Sequence, residues 1–141
     1  MSETLKAYYP KIEAIQSAAQ KLKGVALQTP LTPNLGLSKE FDANIQFKRE
    51  DLQPVRSYKI RGSYNKISSL RRAELDKGIV CASAGNHAQG VAFSCKKLEV
   101  KGRIFMPAPT PKQKIAQVEM FGEDFVEIEL VGDTFDDAFH A

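Results

Sequence analysis

Lys59 is the residue whose type and position indicate the most specific chemistry. It lies in the stretch SYKIRG, residues 57–62, just inside a predicted helix start. A lysine amine forms an imine with an aldehyde, and it is nucleophilic only when deprotonated, which burial and nearby positive charge favour. Arg61 is a nearby positive charge, and Tyr58 offers an aromatic wall to a flat cofactor. Without further context, a lysine in the first turn of a helix is more often a surface residue.

A second stretch consists of the small residues Ser83, Ala84 and Gly85, followed by Asn86 and His87. It lies between a predicted strand and a predicted helix, at the edge where open α/β sheets bind ligands. Backbone N–H groups and the helix dipole at such a turn hold a carboxylate or phosphate. The Asn86 amide has both a donor and an acceptor, so it can orient an oxygen on a cofactor ring. An ordinary strand-to-helix turn, with His87 as a partly buried helix residue, stays open as the alternative.

Metal, nucleotide and nucleic-acid sites have no support in the sequence. Cys81, Cys95, His87 and His140 do not have metal-ligand spacing, and both cysteines are expected to be buried thiols in a reducing compartment. The sequence has no Walker-type loop and no Gly-x-Gly-x-x-Gly motif. Its 20 basic and 17 acidic residues give a net charge of +3, which is too balanced to indicate nucleic acid.

Length and composition indicate a globular protein without a membrane part. The 141 residues suffice for one core or two incomplete ones, and 43% are apolar and 26% charged. Residues 1–10 contain no apolar core of signal-peptide length, and no apolar run is long enough to span a membrane. We therefore expect a cytoplasmic protein.

The elements that must position these residues follow two different patterns along the chain. Before Gly78, the patterns predict a helix over 11–23, an extended segment with two prolines over 27–33, a short helix over 34–41, a strand over 45–48, a loop over 50–56, a helix capped by Ser57 and a charged link over 71–77. After it, they predict strands over 78–82, 102–106 and 125–131, helices over 86–98 and from Thr110 to Gly122, and a helix opened by Asp133. Thr110 is expected to cap its helix, with Pro111 at the first position and Gln113 completing a capping box.

This alternation of strands and helices implies βαβ units with right-handed crossovers. The predicted fold class is α/β, with an open, mostly parallel sheet and flanking helices. The last predicted helix reaches Ala141 after about two turns, which is shorter than an ordinary helix. Because the last strand also has no return partner, we expect an incomplete domain.

Three strings resemble one enzyme family: KREDLQP at 48–54, SYKIRGSY at 57–64 and ASAGNHAQGVA at 82–92. They are similar to the threonine dehydratase (threonine deaminase) branch of the fold type II pyridoxal-phosphate enzymes, and the resemblance runs from about Ala18 to the end of the chain. It implies a tryptophan-synthase-β-like fold and pyridoxal 5′-phosphate (PLP) as cofactor.

The resemblance implies a role for each site residue. Lys59 corresponds to the lysine that forms a Schiff base with PLP, and Asn86 corresponds to the asparagine that hydrogen-bonds the cofactor's 3′-oxygen. Ser83 to His87 correspond to the loop that holds the substrate carboxylate through backbone N–H groups. Tyr58 stands where many members have Phe and is expected to pack against the cofactor ring. No metal is implied.

The resemblance also implies a division of the chain. Residues 1–75 would be the N-terminal part of the large PLP domain, with the Schiff-base lysine, and residues 76–141 a βαβαβ small domain truncated at its C-terminal end. The family's glycine-rich phosphate loop, the residue facing the pyridine nitrogen and the second half of the large domain have no counterpart in the sequence. The chain is therefore expected to be an N-terminal portion.

The function implied is that of an ammonia-lyase of amino-acid metabolism. PLP-dependent dehydration and deamination would convert L-threonine to 2-oxobutanoate and ammonia, in isoleucine biosynthesis or threonine catabolism, with freed Lys59 as the base. A serine dehydratase or serine racemase on the same scaffold and a non-catalytic fragment stay open. The full-length protein is expected to be a homo-oligomer, and these 141 residues alone are expected to be inactive, marginally stable or self-associating.

Overall fold

The structure, a computed structural model, describes residues 9–141 as a mixture of helices and short strands. The described helices are α1 (Ile12–Lys21), α2 (Leu35–Glu40), α3 (Lys59–Ile67), α4 (Arg72–Leu75), α5 (Asn86–Leu98), α6 (Lys112–Gly122) and α7 (Phe135–His140). The described strands are β1 (Leu31–Pro33), β2 (Gln46–Lys48), β3 (Ile79–Ala82), β4 (Gly102–Met106) and β5 (Val126–Leu130). Two single turns of 3₁₀ helix lie at Glu50–Leu52 and Glu123–Phe125.

The main sheet is parallel and has the strand order β3-β4-β5. Its register pairs Ile79 with Gly102 and Gly102 with Val126. Helix α5 connects β3 to β4, and α6 connects β4 to β5, so the sheet consists of consecutive βαβ units. The predicted α/β fold class with a mostly parallel sheet is confirmed.

The two faces of this sheet carry different side chains, because successive residues of a strand point to opposite faces. Ile104 and Met106 of β4 are fully buried and belong to the main hydrophobic cluster. Arg103, on the other face of β4, forms ion pairs with Glu127 at 3.0 Å and Glu129 at 3.1 Å. Helix α7 packs on this second face against β3 and β4.

Helix α5 is the centre of the core. It packs against α3 and α6 as well as the sheet, and its residues Ala88, Val91, Ala92 and Cys95 are buried in the main cluster. Ile67 of α3 joins the same cluster. The predicted division of the chain at 75/76 stays a prediction.

An antiparallel strand pair near the N-terminus differs from the prediction. Strand β1 pairs with β2 so that Leu31 lies opposite Lys48 and Pro33 opposite Gln46. The sequence predicted only an extended segment at β1, because its two prolines argue against a paired strand. A two-stranded sheet has only edge strands, where proline is tolerated.

Helix α1 forms within the predicted range, but the described residues bury none of its apolar side chains. Ile12 and Ile15 are 59% and 52% exposed, and α1 buries none of its side chains against the described chain. The predicted link over 71–77 is also partly helical, since it contains α4.

The predicted capping box at α6 is wrong. Pro111 is the N-cap rather than the first helical residue, and no side chain caps the helix. The hydroxyl of Thr110 instead donates to the carbonyl of Pro107 at 2.6 Å. A threonine that closes a local turn in this way competes with its use as a helix cap.

The helix predicted to open at Asp133 begins slightly later. Thr134 caps α7, and it forms a capping box with Asp137. The N–H of Asp133 also donates to the Asp137 carboxylate, at 3.0 Å. The first turn of α7 is therefore acidic, as expected, but the N-cap is Thr134 rather than Asp133.

Across residues 9–141, no helix combines the length and the apolar character needed to cross a membrane. The predicted lack of a signal-peptide core concerns residues 1–10, most of which lie outside the described residues.

Candidate active site

Lys59 is the first residue of α3, and its surroundings anchor the start of that helix. Ser57 was expected to be the N-cap, but Tyr58 holds that position. Ser57 still contributes, because its buried hydroxyl accepts a hydrogen bond from the Lys59 N–H at 3.3 Å. The Lys59 Nζ lies 5.5 Å from the centroid of the Tyr58 ring, which is largely exposed. A cationic amine and an aromatic ring thus lie side by side.

The start of α5 leaves backbone donors without protein partners. Gly85 is the N-cap in an extended conformation, and no side chain caps this 13-residue helix. The Gly85 N–H donates to the Ser83 hydroxyl at 3.3 Å. The N–H groups of Ala84, Asn86 and His87 have no acceptor among the described residues. Unpaired N–H groups at a helix N-terminus, together with the helix dipole, form an anion-binding position.

A cavity of about 410 Å³ lies between α3, β3 and α5. Its lining includes three of the predicted site residues, Tyr58, Lys59 and His87. Ser83, Ala84, Gly85 and Asn86 are not part of this lining, although they directly precede His87 in the chain. The structure therefore brings the lysine, the aromatic ring and the histidine together around one cavity. The predicted anion-binding loop directly precedes the histidine in the chain.

Lys59 also affects the protonation of His87. Partial burial is the main cause that lowers the pKa of His87, and the positive charge of Lys59 is the second. No aspartate or glutamate from the described residues lines the cavity, whereas Lys66 does. Most of the cavity lining is apolar, and its basic side chains are the amines of Lys59 and Lys66 and the imidazole of His87, which suit an anionic group on a ligand.

The distance between α3 and α5 is set by Gly90, which the sequence analysis did not identify. A Cβ atom at Gly90 would lie 2.7 Å from the Ser63 hydroxyl and 3.2 Å from the carbonyl carbon and oxygen of Lys59. Ser63 donates to the Lys59 carbonyl at 2.8 Å, and buried Ser94 donates to the Gly90 carbonyl at 2.7 Å. Only glycine permits this approach of α5 to the turn that carries Lys59. The signal available in the sequence was an isolated glycine inside a helical pattern.

Arg61 has a different role from the one expected. The sequence analysis treated it as a positive charge close to Lys59, but its guanidinium binds Glu50 through two hydrogen bonds of 2.8 Å. The pair also holds the pKa of Glu50 at about 2, with the hydrogen bond from Arg61 as the largest cause. The Arg61 charge is therefore neutralised locally. The sequence analysis missed Glu50, because it treated residues 50–56 as a loop.

Both cysteines are free and buried, as predicted. Burial raises the pKa of the Cys81 thiol to about 11, and burial together with Cys81 raises that of Cys95 to about 11. Cys81 lines the cavity beside Lys59 but is not an available thiolate. In the part of the chain that the structure describes, no group of three or more histidine, cysteine, aspartate or glutamate side chains could hold a metal ion.

The groups around the cavity suit a flat cofactor that has an aldehyde and a negative charge. Lys59 supplies a primary amine that can bind an aldehyde, and Tyr58 supplies an aromatic surface next to it. The free N–H groups at the start of α5 can hold a carboxylate or phosphate. The fit rests on this donor set, which combines a nucleophilic amine with an anion-binding helix start.

Comparison with known proteins identifies one family for this chain and shows that the related proteins are much longer than the chain. The family described as pyridoxal-phosphate dependent enzyme matches residues 22–141. The biosynthetic L-threonine dehydratase IlvA of Halalkalibacterium halodurans is 55% identical over 130 residues, which cover 92% of this chain and 31% of that protein. The chain thus spans about a third of the length of the curated relatives that it matches.

Solved structures resemble the fold over nearly the whole chain. The processed form of threonine deaminase isoform 2 from Solanum lycopersicum has a TM-score of 0.77 and 43% identity, covering 92% of this chain and 36% of that one. Maize serine racemase has a TM-score of 0.86 and 26% identity, covering 94% of this chain and 40% of that one.

Proposed function

Since this chain belongs to the pyridoxal-phosphate-dependent enzymes, we propose that it is the N-terminal part of an L-threonine dehydratase that forms 2-oxobutanoate and ammonia. The observation that carries the proposal is the cavity that Lys59, Tyr58 and His87 line next to the uncapped start of α5. Relatives named biosynthetic L-threonine dehydratase, 52–57% identical to this chain, support the choice of substrate.

Three residues would hold PLP in this proposal. The Lys59 amine binds the aldehyde, Tyr58 packs against the ring, and the Asn86 amide hydrogen-bonds the ring oxygen. When bound, PLP supplies an electron sink for the negative charge that develops at the substrate's α carbon.

The loop from Ser83 to His87 would bind the substrate. Its free N–H groups, with the dipole of α5, hold the amino acid's carboxylate and so fix the orientation of the α carbon. Because these donors belong to the backbone, they select for a carboxylate rather than for one particular side chain. Specificity for threonine must then depend on contacts with the β substituents.

Lys59 would also move the proton. Its free amine would accept the proton from the α carbon. The short start of α3, fixed against α5 at Gly90, keeps Nζ at the cavity while this happens. Loss of the β-hydroxyl as water would give an enamine, and water would then hydrolyse its imine tautomer to the 2-oxo acid and ammonia.

Cofactor binding is tested on the complete gene product that carries this chain. The protein is mixed with PLP, its visible spectrum is recorded, and the bound cofactor is fixed with borohydride and located by peptide mapping. We expect a visible absorbance band and a label on Lys59, both lost in Lys59→Ala and kept in the control Lys77→Ala at an exposed lysine. Catalytic activity retained in Lys59→Ala would refute the assignment.

A serine dehydratase or serine racemase is the second candidate, favoured by the higher TM-score of maize serine racemase. The two are separated by assaying 2-oxo acid formation from L-threonine and L-serine in competition and by analysing serine enantiomers. We expect L-threonine to have the higher kcat/KM and no D-serine to appear. A preference for serine would favour the second candidate.

Further parts of the proposal concern the whole protein. We propose that residues 1–75 belong to the large domain and residues 76–141 to the small domain, that the complete protein is a cytoplasmic homo-oligomer acting on a small amino acid, and that it does not act on nucleic acid or at a membrane. We also propose that these 141 residues alone are inactive. Size-exclusion chromatography with light scattering, together with an activity assay of both lengths, tests these points.

A further inference from the structure

We propose that Glu50 is a positioning residue for Lys59 and that it acts through Arg61. This inference rests on the proposed function, in which Lys59 is the residue that binds the cofactor. Glu50 does not line the cavity, so it is not a catalytic residue. Its role would be to hold the first turn of α3 in the orientation that directs the Lys59 amine into the cavity.

The connection from Glu50 to the turn of Lys59 is short and rigid. Arg61 Nε lies 2.8 Å from Glu50 Oε2, and Arg61 Nη2 lies 2.8 Å from Oε1. This two-point geometry fixes the guanidinium in position as well as in angle. Arg61 follows Lys59 by two residues, about 200° around the helix axis, so the two side chains leave the helix on opposite sides. A contact that holds Arg61 therefore limits rotation of the turn that carries Lys59.

Glu50 is itself fixed by neighbours outside α3. Thr29 donates to Glu50 Oε1, and the Gln53 amide nitrogen lies 3.2 Å from Oε2. Gln53 is only 2% exposed and binds both backbone groups of Leu27, at 2.9 Å each. The Leu27 carbonyl also accepts from Arg61 at 3.0 Å. Glu50, Gln53 and the backbone of Leu27 thus form a fixed support to which Arg61 attaches.

Helix α3 is therefore held by contacts on two sides, and each set of contacts restrains a different movement of the helix. Gly90 and Ser63 set how closely α3 approaches α5, which fixes the distance of Lys59 from the helix that starts at Asn86. The pair of Glu50 and Arg61 restrains rotation from the other side. Loss of Glu50 leaves the packing against α5 intact and removes the rotational restraint, so the amine should sample positions outside the cavity.

The test compares Glu50→Gln with the control Asp51→Asn in the complete gene product. Asp51 is next to Glu50 in sequence, but it pairs on the surface with Arg49, at 2.7 Å, rather than with a residue of α3. After PLP and borohydride at a temperature well below unfolding, the label on Lys59 is measured relative to the labels on surface lysines. We expect Glu50→Gln to lower this ratio by about tenfold or more and Asp51→Asn to leave it unchanged. An unchanged ratio in Glu50→Gln overturns the proposal.

Two additions separate positioning from general stability. Glu50→Asp keeps the carboxylate, so it should restore a large part of the ratio even where both variants have the same melting temperature. Amide hydrogen exchange over residues 57–64 should be faster by about fivefold or more in Glu50→Gln, with α5 unchanged. A lower melting temperature with no change in either readout overturns the proposal.

The outcome also distinguishes this inference from the proposed function. If the wild-type protein does not label Lys59, the proposed function fails, and hydrogen exchange over residues 57–64 then decides on Glu50 by itself. If the wild type labels Lys59 and Glu50→Gln labels it equally well, only the positioning role fails.

Discussion

At the scale of single residues, the charges around Lys59 decide what its amine can do. Arg61 is neutralised by Glu50, so it does not supply the positive charge expected from the sequence. His87 and Lys66 line the cavity with Lys59, and no carboxylate of the described residues does. The side chains present favour an anionic ligand and give the Lys59 ammonium no acidic partner within the cavity.

The closeness of Lys59 and His87 gives a prediction for a pKa. Lys59→Met removes a positive charge that disfavours protonation of His87, so the pKa of His87 should rise. It should stay below that of an unperturbed histidine, because burial is the larger cause and persists. An NMR titration of the imidazole protons measures the change, with Lys77→Met as the control. An unchanged pKa in Lys59→Met would mean that the two side chains lie further apart than the structure has them.

Glu50 gives a prediction for acid stability. The pKa of Glu50 is about 2 in the folded chain, against 4.5 for an ordinary glutamate, so its contribution to stability is complete above about pH 4.5 and is lost as the pH falls towards 2. Glu50→Gln should therefore lower the free energy of unfolding by about 2 kcal/mol near neutral pH and by much less near pH 2. Urea unfolding at several pH values measures this, and a pH-independent difference would contradict it.

At the scale of elements, the periodicity of apolar residues predicted most helices and strands, whereas it could not predict contacts between residues far apart in the sequence. Helix α5 and strands β3 to β5 lie close to their predicted ranges, because each has an apolar pattern of its own. The pairing of β1 with β2 depends on a register between separate segments. The support at Glu50 depends on Leu27, which lies 34 residues before Arg61. Local patterns do not encode either feature.

The contact between α3 and α5 predicts a large difference between two glycine substitutions. Gly90→Ala places a methyl group 2.7 Å from the Ser63 hydroxyl and 3.2 Å from the Lys59 backbone, so the Ser63 side chain must move and the start of α3 must shift slightly away from α5. We expect a loss of about 1–3 kcal/mol in stability and weaker labelling of Lys59 by PLP. Thermal or urea unfolding and the labelling assay measure these effects.

Gly62→Ala is the matched control in α3, because a Cβ atom there has nothing within 4 Å. Alanine is the better helix former, so this variant should be as stable as the wild type or up to about 1 kcal/mol more stable. Equal effects of the two substitutions would show that Gly90 is not a close-contact position.

At the scale of the whole molecule, the described chain exposes apolar surface that a complete core would cover. Strand β3 is at one edge of the three-stranded sheet, and its Val80 is 74% exposed. Ile12 and Ile15 of α1 are also exposed. The sequence predicted the α/β class and an incomplete sheet, because both follow from the order of elements.

An unpaired edge strand promotes association between chains. The 141-residue chain alone should therefore self-associate, and Val80→Lys should reduce this by placing a charge on the edge. Sedimentation velocity over a range of concentrations measures the effect. Met120→Lys, at another exposed apolar position, on α6, is the control and should leave the association unchanged. Equal effects of the two variants would locate the association away from the β3 edge of the sheet.

The ion pairs of Arg103 with Glu127 and Glu129 have a consequence for folding fidelity. Exposed pairs of this kind add little to stability. However, β5 alternates glutamates with Val126 and Ile128, so a shift by one residue against β4 would turn both carboxylates into the core. Such a misaligned chain is penalised twice, by two buried charges and by two exposed aliphatic side chains. The glutamates of β5 therefore disfavour a shifted alignment of β5 against β4 and so help to specify the observed one.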